Sequence, residues 1–342
     1  MTVTGVGFGS KPQAAPFKYQ DFEGGVTGAT PKTMGYTEYG GFGGTTTVDT
    51  AQAYSGGKSL RHQAHFGPAT PTSGGAIEES FPHIAVTGFS GQELYLSYRM
   101  RFTANGGSVR QLKFNRGGVE DTTWGGNVLG SPCYGGEIFF YSSYYPSRDR
   151  FAANQTLDGG LQGGVRTPNG TSAGKRDEGW VGDAWSGNGT VLPIPEHTWV
   201  QVEEYYRLAD VGQANGEHVT WVNGNLQFNR HTIQTETKTG QKLNCSYLVI
   251  GMDYYINPAS TNGPSVWYDD HYLDTTRARL VLANAATWSA STIRSPQPAT
   301  SWSTSGVVAQ FKPAGFASGT DAWLYLIRAD GSVSAGWKIR LP

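Results

Sequence analysis

The chain has 342 residues, of which 48 are glycine and 17 proline, while only 15% are charged and 13% are aromatic. Gly and Pro break helices and punctuate short strands, and aromatics suit a pleated surface, so a helical bundle, a coiled coil and a collagen-like chain are excluded. A net charge of −1 gives no basic footprint for nucleic acid, no run approaches the ~20 apolar residues of a membrane span, and 10 Trp, 18 Tyr and 15 Phe argue against disorder.

Residues 1–16 read as an arm of Gly, Ser, Pro and Ala without periodicity, and they lack the basic patch and apolar core of a secretion signal. The first predicted strand is 17–22, stopped by Gly24-Gly25, and the next is 58–66. The clearest is 94–102. Its even positions Leu94, Leu96, Tyr98, Met100 and Phe102 make an apolar face, and its odd positions Tyr95, Ser97, Arg99 and Arg101 a polar one. The same split recurs over 199–208, with Val200, Val202, Tyr206 and Leu208 opposite Gln201, Glu203, Tyr205 and Arg207. Only Glu204 spoils the apolar face.

Further strands are expected at 136–141, 219–222, 247–252 and 266–273, and no window shows a helical period. Between 142 and 197 the patterning fades, although Tyr144, Tyr145, Arg148, Arg150, Trp180 and Trp185 remain. This stretch is expected to form long ordered loops. From 289 to 304 the chain reads as a linker, followed by short strands at 306–311, 323–327 and 336–341. The expected organisation is an arm (1–16), a main domain (17–288) and a linker with a small β module (289–342). The fold class is all-β: a two-sheet antiparallel jelly-roll sandwich with that module appended.

Several segments carry a resemblance: "FKYQDFEGG", "GGKSLRHQAHF", "LYLSYRMRF", "HTWVQVEEYYRL", "GEHVTWVNGNLQFN" and "WYDDHYLDTTRARLVLAN". Together they resemble the concanavalin A-like lectin/glucanase jelly roll, in the branch shared by polysaccharide lyases and laminin-G-like modules. The tail resembles the immunoglobulin-like β modules of surface and phage proteins. The likeness implies a concave sheet that takes a ligand across its polar face. Alternation then nominates Arg99, Arg101, Lys113, Gln201, Glu203, Tyr205 and Arg207 as ligand-binding residues, with Trp180 in the loop region as a competing site. A solvated outer face without a ligand is the alternative.

The paired-carboxylate strand of the glucanases (E-x-D-x-(x)-E) is absent, because Glu203-Glu204 and Asp269-Asp270 are adjacent and split between faces. β-Elimination needs a Tyr or His for proton transfer and Arg, Gln or Asn against the uronate carboxylate. Tyr205, His65, Arg207 and Gln201 could supply these if their strands are neighbours. Gln63-Ala64-His65 matches one short spacing of the alginate lyases, and their longer strand motifs are missing. Asp269 and Asp270 are weak candidates for a structural calcium ion. Cys133 and Cys245 read as free thiols, with their pairing left open.

Three functional readings follow. The leading one is a non-enzymatic carbohydrate-binding or adhesion component of a phage virion, in its tail or on its capsid surface. It would bind a glycan or cell-surface polysaccharide beside other virion proteins, form a homo-oligomer, and act in the virion or outside the cell after lysis. The alternative is a polysaccharide lyase acting on a uronate polymer by β-elimination. The third is a structural decoration subunit. None involves nucleic acid or membrane insertion.

Overall fold

The computed structural model describes residues 1–39, 44–65, 83–106, 108–109, 112–119, 138–145, 150–156, 195–211, 213–233, 240, 242–252, 255–256 and 262–342. Its first strands are β1 (Thr2–Thr4), β2 (Lys18–Gln20), β3 (Thr37–Tyr39), β4 (Gly44–Asp49), β5 (Ser59–His65), β6 (His83–Gly91) and β7 (Glu93–Thr103). There follow β8 (Ser108–Val109), β9 (Leu112–Val119), β10 (Ile138–Tyr145), β11 (Arg150–Thr156), β12 (Val200–Arg207), β13 (Gly216–Val222) and β14 (Asn225–Ile233). Next are β15 (Leu243–Met252), β16 (Tyr255–Ile256), β17 (Asn262–Asp274), β18 (Arg279–Ala283) and β19 (Arg294–Gln297). The last are β20 (Ala299–Ser303), β21 (Gly306–Ala309), β22 (Asp321–Ile327) and β23 (Trp337–Arg340).

Two large antiparallel sheets form the main body. One runs β14-β13-β12-β7-β17-β5-β4, with β2 added on β17, and the other runs β11-β10-β9-β15-β6-β3. The all-β expectation holds. The even-numbered face of β7 (Leu94, Leu96, Tyr98, Met100, Phe102) and that of β12 (Val200, Val202, Tyr206) enter one core with Ile84, Val86, Phe114 and Leu248 of the second sheet. Burying a large apolar side chain contributes about 1.5–3 kcal/mol, so this face fixes the register of the whole layer. Two core tyrosines keep their hydroxyls satisfied across the layers. Tyr98 donates to Asn115 at 2.9 Å and Tyr268 to the Phe114 carbonyl at 2.8 Å. Glu204, the odd member of its apolar face, is 1% exposed and accepts from Asn115 while meeting His218 Nε2, so its carboxyl is lodged among polar partners inside the core.

The C-terminal region is a second, smaller pair of sheets, β19-β18-β22-β23 and β1-β21-β20. Two readings of the sequence change here. The 289–304 stretch taken as a linker contains β19 and β20, and the arm supplies β1, whose Val3 pairs with Val307. Phe8, Leu280, Val307, Leu324 and Leu326 share the core of this module. The 142–197 stretch, expected to be loop, begins with the end of β10 and contains β11; its residues 146–149 and 157–194 lie outside the described residues. Cys245 is disulfide-bonded, which corrects the expectation of free thiols, and Cys133 lies outside the described residues.

The β13–β14 hairpin turns at Asn223-Gly224, with φ of 47° and 71°. Two successive positive φ values make the primed turn that matches strand twist, which is why Asn-Gly stands there. The turn also docks. Asn223 Oδ1 accepts the Gln201 N–H at 2.8 Å, and a Cβ on Gly224 would lie 2.1 Å from the Ser291 carbonyl oxygen of the module.

Candidate functional site

The odd-numbered face of β7 and β12 is one continuous surface, as the alternation predicts. The register sets Arg99 beside Gln201, Ser97 beside Glu203, Tyr95 beside Tyr205 and Glu93 beside Arg207. It is not open to solvent, because the C-terminal module lies on it. Arg99 is 4% exposed, Gln201 and Glu203 1%, and Tyr205 2%. Arg99 donates to the Arg294 carbonyl at 3.1 Å and stacks its guanidinium 4.3 Å from the Tyr54 ring centroid. Gln201 donates to Ser97 Oγ at 3.1 Å and accepts the Arg294 N–H at 3.0 Å. Glu203 accepts the Tyr95 hydroxyl at 2.8 Å and pairs with Arg294 at 3.4 Å and Arg279 at 3.6 Å.

What space remains is small. A cavity of about 10 Å³ lies among Tyr19, Ser97, Arg99, Gln201, Asp270 and Arg294. A volume of that size holds about one water molecule and no sugar ring. The expected trough is therefore filled by the protein itself, and these residues hold the module in place.

The other nominated positions disperse. Tyr205 donates its hydroxyl to Glu93 at 2.5 Å, beneath the Arg277 guanidinium at 4.1 Å from its ring centroid. Burial, then the Glu93 charge, holds its phenol well above the ordinary value, so it keeps its proton and is a poor base. Arg207 is bound to Glu217 at 3.0 Å and to the Asn215 carbonyl. His65 ends β5, which is separated from β12 by β17 and β7. Three strand spacings of about 4.8 Å put roughly 14 Å between the His65 and Tyr205 strands, so the imagined proton-transfer pair does not assemble. Arg101, at the rim, donates to the His197 carbonyl at 3.1 Å and faces Trp267. Trp180 lies outside the described residues, and so does the side chain of Lys113, whose backbone belongs to β9.

Asp269 and Asp270 sit at an irregularity of β17, where Asp270 has a φ of 47°. Asp269 accepts the backbone N–H groups of Tyr54, Ser55 and Asp270 at 2.8–3.1 Å, and Asp270 accepts Ser55 Oγ at 3.0 Å. Burial, then the charge of Asp270, pushes the Asp269 carboxyl up against the pull of those N–H groups. The surroundings are hydrogen-bond donors and the Arg99 guanidinium, where calcium would require oxygen ligands. Among the described residues no group of three or more His, Cys, Asp or Glu could hold a metal ion. His271 is fully buried against Tyr36, 2.8 Å from its hydroxyl. Burial, then nearby Lys18, lowers its imidazole to about 3.

The opposite surface of the sandwich presents a different set. On the six-stranded sheet, Ala85, Cys245 and Tyr247 form a small cluster apart from the main core; they lie on the sheet face turned away from it and are covered there, none more than 3% exposed. The register extends this face across the sheet: Ala85, Tyr247, Arg116, Tyr141 and Asn154 occupy one row, on β6, β15, β9, β10 and β11. Lys113 and Ser143 face each other beyond the irregularity between Ser142 and Ser143. Sequence reading nominated Lys113 and missed Arg116, because β9 has little alternation and two glycines. The signal that was available is the string Lys113-Phe114-Asn115-Arg116.

No family model matches the chain, and no curated protein matches it. Solved structures do. The endo-β-1,4-glucuronan lyase of the fungus Trichoderma reesei is similar at 13% identity and a TM-score of 0.48, over 76% of this chain and 96% of that one. The alginate lyase Aly36B is similar at 14% identity and 0.47, over 77% and 97%. The marine alginate lyase of Aplysia kurodai follows at 11% and 0.42, over 70% and 89%. No residue role passes from them to this chain. The expectation of a non-enzymatic adhesion component of a virion is corrected: the trough assigned to its ligand is occupied by the chain's own C-terminal module.

Proposed function

We propose that the protein is a polysaccharide lyase that cleaves a uronate-containing polymer by β-elimination on the face of the six-stranded sheet turned away from the main core. The observation that carries the reading is the row Arg116, Tyr141, Asn154, with Lys113 close by on the same strand as Arg116. Adjacent strands lie about 4.8 Å apart, so the three row positions span roughly 10 Å, the scale of a short stretch of sugar chain. Elimination breaks the C–H bond α to the uronate carboxylate and the glycosidic C–O bond beyond it. A cation beside the carboxylate stabilises the charge that develops, and a tyrosine can take the α proton as its phenolate and hand it to the departing oxygen as the C=C bond forms. Arg116 and Lys113 are of the first type, and Tyr141 is of the second.

The reading rests on that row and needs neither a structural calcium ion nor a homo-oligomer. Uronate polymers of this kind lie outside cells, so it carries an extracellular site of action. Incubation with polyglucuronate, alginate and pectate is expected to raise the ultraviolet absorbance of the unsaturated sugar end on at least one polymer. Arg116→Ala is expected to abolish the rise while the circular dichroism stays unchanged. A flat trace of the native protein on all three polymers overturns the proposal.

A further inference from the structure

Farther along the covered polar face of the eight-stranded sheet, a lysine and an aspartate meet in the protein interior. Lys11 Nζ lies 2.6 Å from Asp274 Oδ2, with the lysine side chain 0% and the aspartate side chain 3% exposed. Lys11 belongs to the segment between β1 and β2, and Asp274 is the last residue of β17 in the centre of the eight-stranded sheet. A nitrogen this close to a carboxyl oxygen stands about 3–3.5 Å from the carboxyl carbon, the distance of a near-attack arrangement. Each atom of the carboxyl is held separately. The Thr275 N–H donates to Oδ1 at 2.9 Å, and the Tyr272 hydroxyl donates to Oδ2 at 3.1 Å. The amine in turn donates to the Ala14 carbonyl at 3.0 Å and has the Trp302 ring at 5.4 Å.

We propose that Lys11 and Asp274 condense into an intramolecular isopeptide bond that ties the N-terminal segment to the main body. The uncharged amine attacks Cγ and forms the Nζ–Cγ bond, and the carbonyl electron pair moves to Oδ1, where the Thr275 N–H receives the charge. Oδ2 then leaves as water. It takes the carboxyl proton and one proton from the nitrogen, the latter relayed through the Tyr272 hydroxyl. The products are one amide and one water, so no oxidant or further reactant is required. Burial acts in the same direction on both partners, lowering the proton affinity of the Lys11 amine and raising that of the Asp274 carboxyl, which favours the neutral pair that reacts.

The test is the intact mass of the full chain. The native protein is expected about 18 Da lighter than its sequence, the mass of one water, with a branched peptide joining the Lys11 and Asp274 segments after digestion. Lys11→Arg is expected to restore the full sequence mass. Asp274→Asn is expected to lose about 17 Da instead, because ammonia becomes the leaving group. A native chain of full mass after prolonged incubation at neutral pH overturns the proposal and leaves the contact as an ion pair.

Discussion

Gln201 and Arg294 are joined side chain to backbone, the Gln201 amide oxygen accepting the Arg294 N–H at 3.0 Å while its nitrogen holds Ser97 at 3.1 Å. One glutamine thereby links two strands of the large sheet to the first residue of β19, the edge strand of the module's sheet. The contact is the centre of a buried polar interface whose charges are Glu203, Arg279, Arg294 and Arg99.

Glu203 should be the most sensitive member of that interface. Among the described residues it is the carboxylate that pairs with both the Arg279 and the Arg294 guanidinium groups, all three side chains being 5% or less exposed. Removing one partner of a buried pair leaves uncompensated charge and costs about 3–5 kcal/mol. Glu203→Ala is therefore expected to lower the urea midpoint by that equivalent and to make the module the first site of proteolysis. A change under about 1 kcal/mol would contradict the docked arrangement.

Gly224→Ala probes the same interface from the hairpin side. The φ of 71° disfavours any side chain, and the added carbon would meet the Ser291 carbonyl at 2.1 Å. Backbone strain alone costs about 1–3 kcal/mol, and a clash with main chain adds to it. A drop of several degrees in Tm is expected. Asn223→Gly, which preserves the turn but removes the bond to the Gln201 N–H, should cost less.

His271 gives the protein a pH dependence of definite sign. Its folded value is about 3, against 6.5 for the unfolded group. Between those values the unfolded chain binds a proton that the folded protein refuses. The contribution is whole above pH 6.5 and is lost as pH falls, by about 1.4 kcal/mol per unit. Relative to His271→Gln, the native protein should lose about 3 kcal/mol between pH 7 and 4.5 in denaturant titrations. Parallel stability curves for the two proteins would refute the buried neutral imidazole.

Tyr205→Phe separates the two polar faces. Its hydroxyl serves Glu93, so the variant should lose about 1–3 kcal/mol of stability and keep any lyase rate unchanged. Arg116→Ala should do the reverse. If Tyr205→Phe abolished turnover with folding intact, the active face would have to be moved to the other sheet.

The strands with strict alternation were legible. Over 94–102 and 199–208 the apolar positions that the spacing selects are the ones in the core, and even the exception, Glu204, marks a real buried polar cluster. The occupant of the polar face was not legible. A row of Arg, Gln, Glu and Tyr has the same pattern whether it meets a sugar, water or another part of the chain, and here it meets Arg279 and Arg294. Those arginines lie in stretches assigned to the end of the main domain and to a linker. Short strands such as β1 and β19 leave no periodicity to read, and their partners are fixed only by tertiary pairing. The row on the six-stranded sheet escaped for a related reason. Arg116 gains its neighbours from β10 and β15, far apart in sequence.

The placement of β1 against β21 bears on how the C-terminal module can be handled as a separate piece. Cut out as 279–342, it would lose the strand that caps Val307 and Val308 and would present a bare ladder of unpaired amides beside Leu324 and Leu326. Open ladders of that kind recruit other chains. Such a fragment should aggregate or swap strands on expression, and a circular permutant carrying residues 1–9 behind a short tether at its C-terminus should restore a soluble monomer.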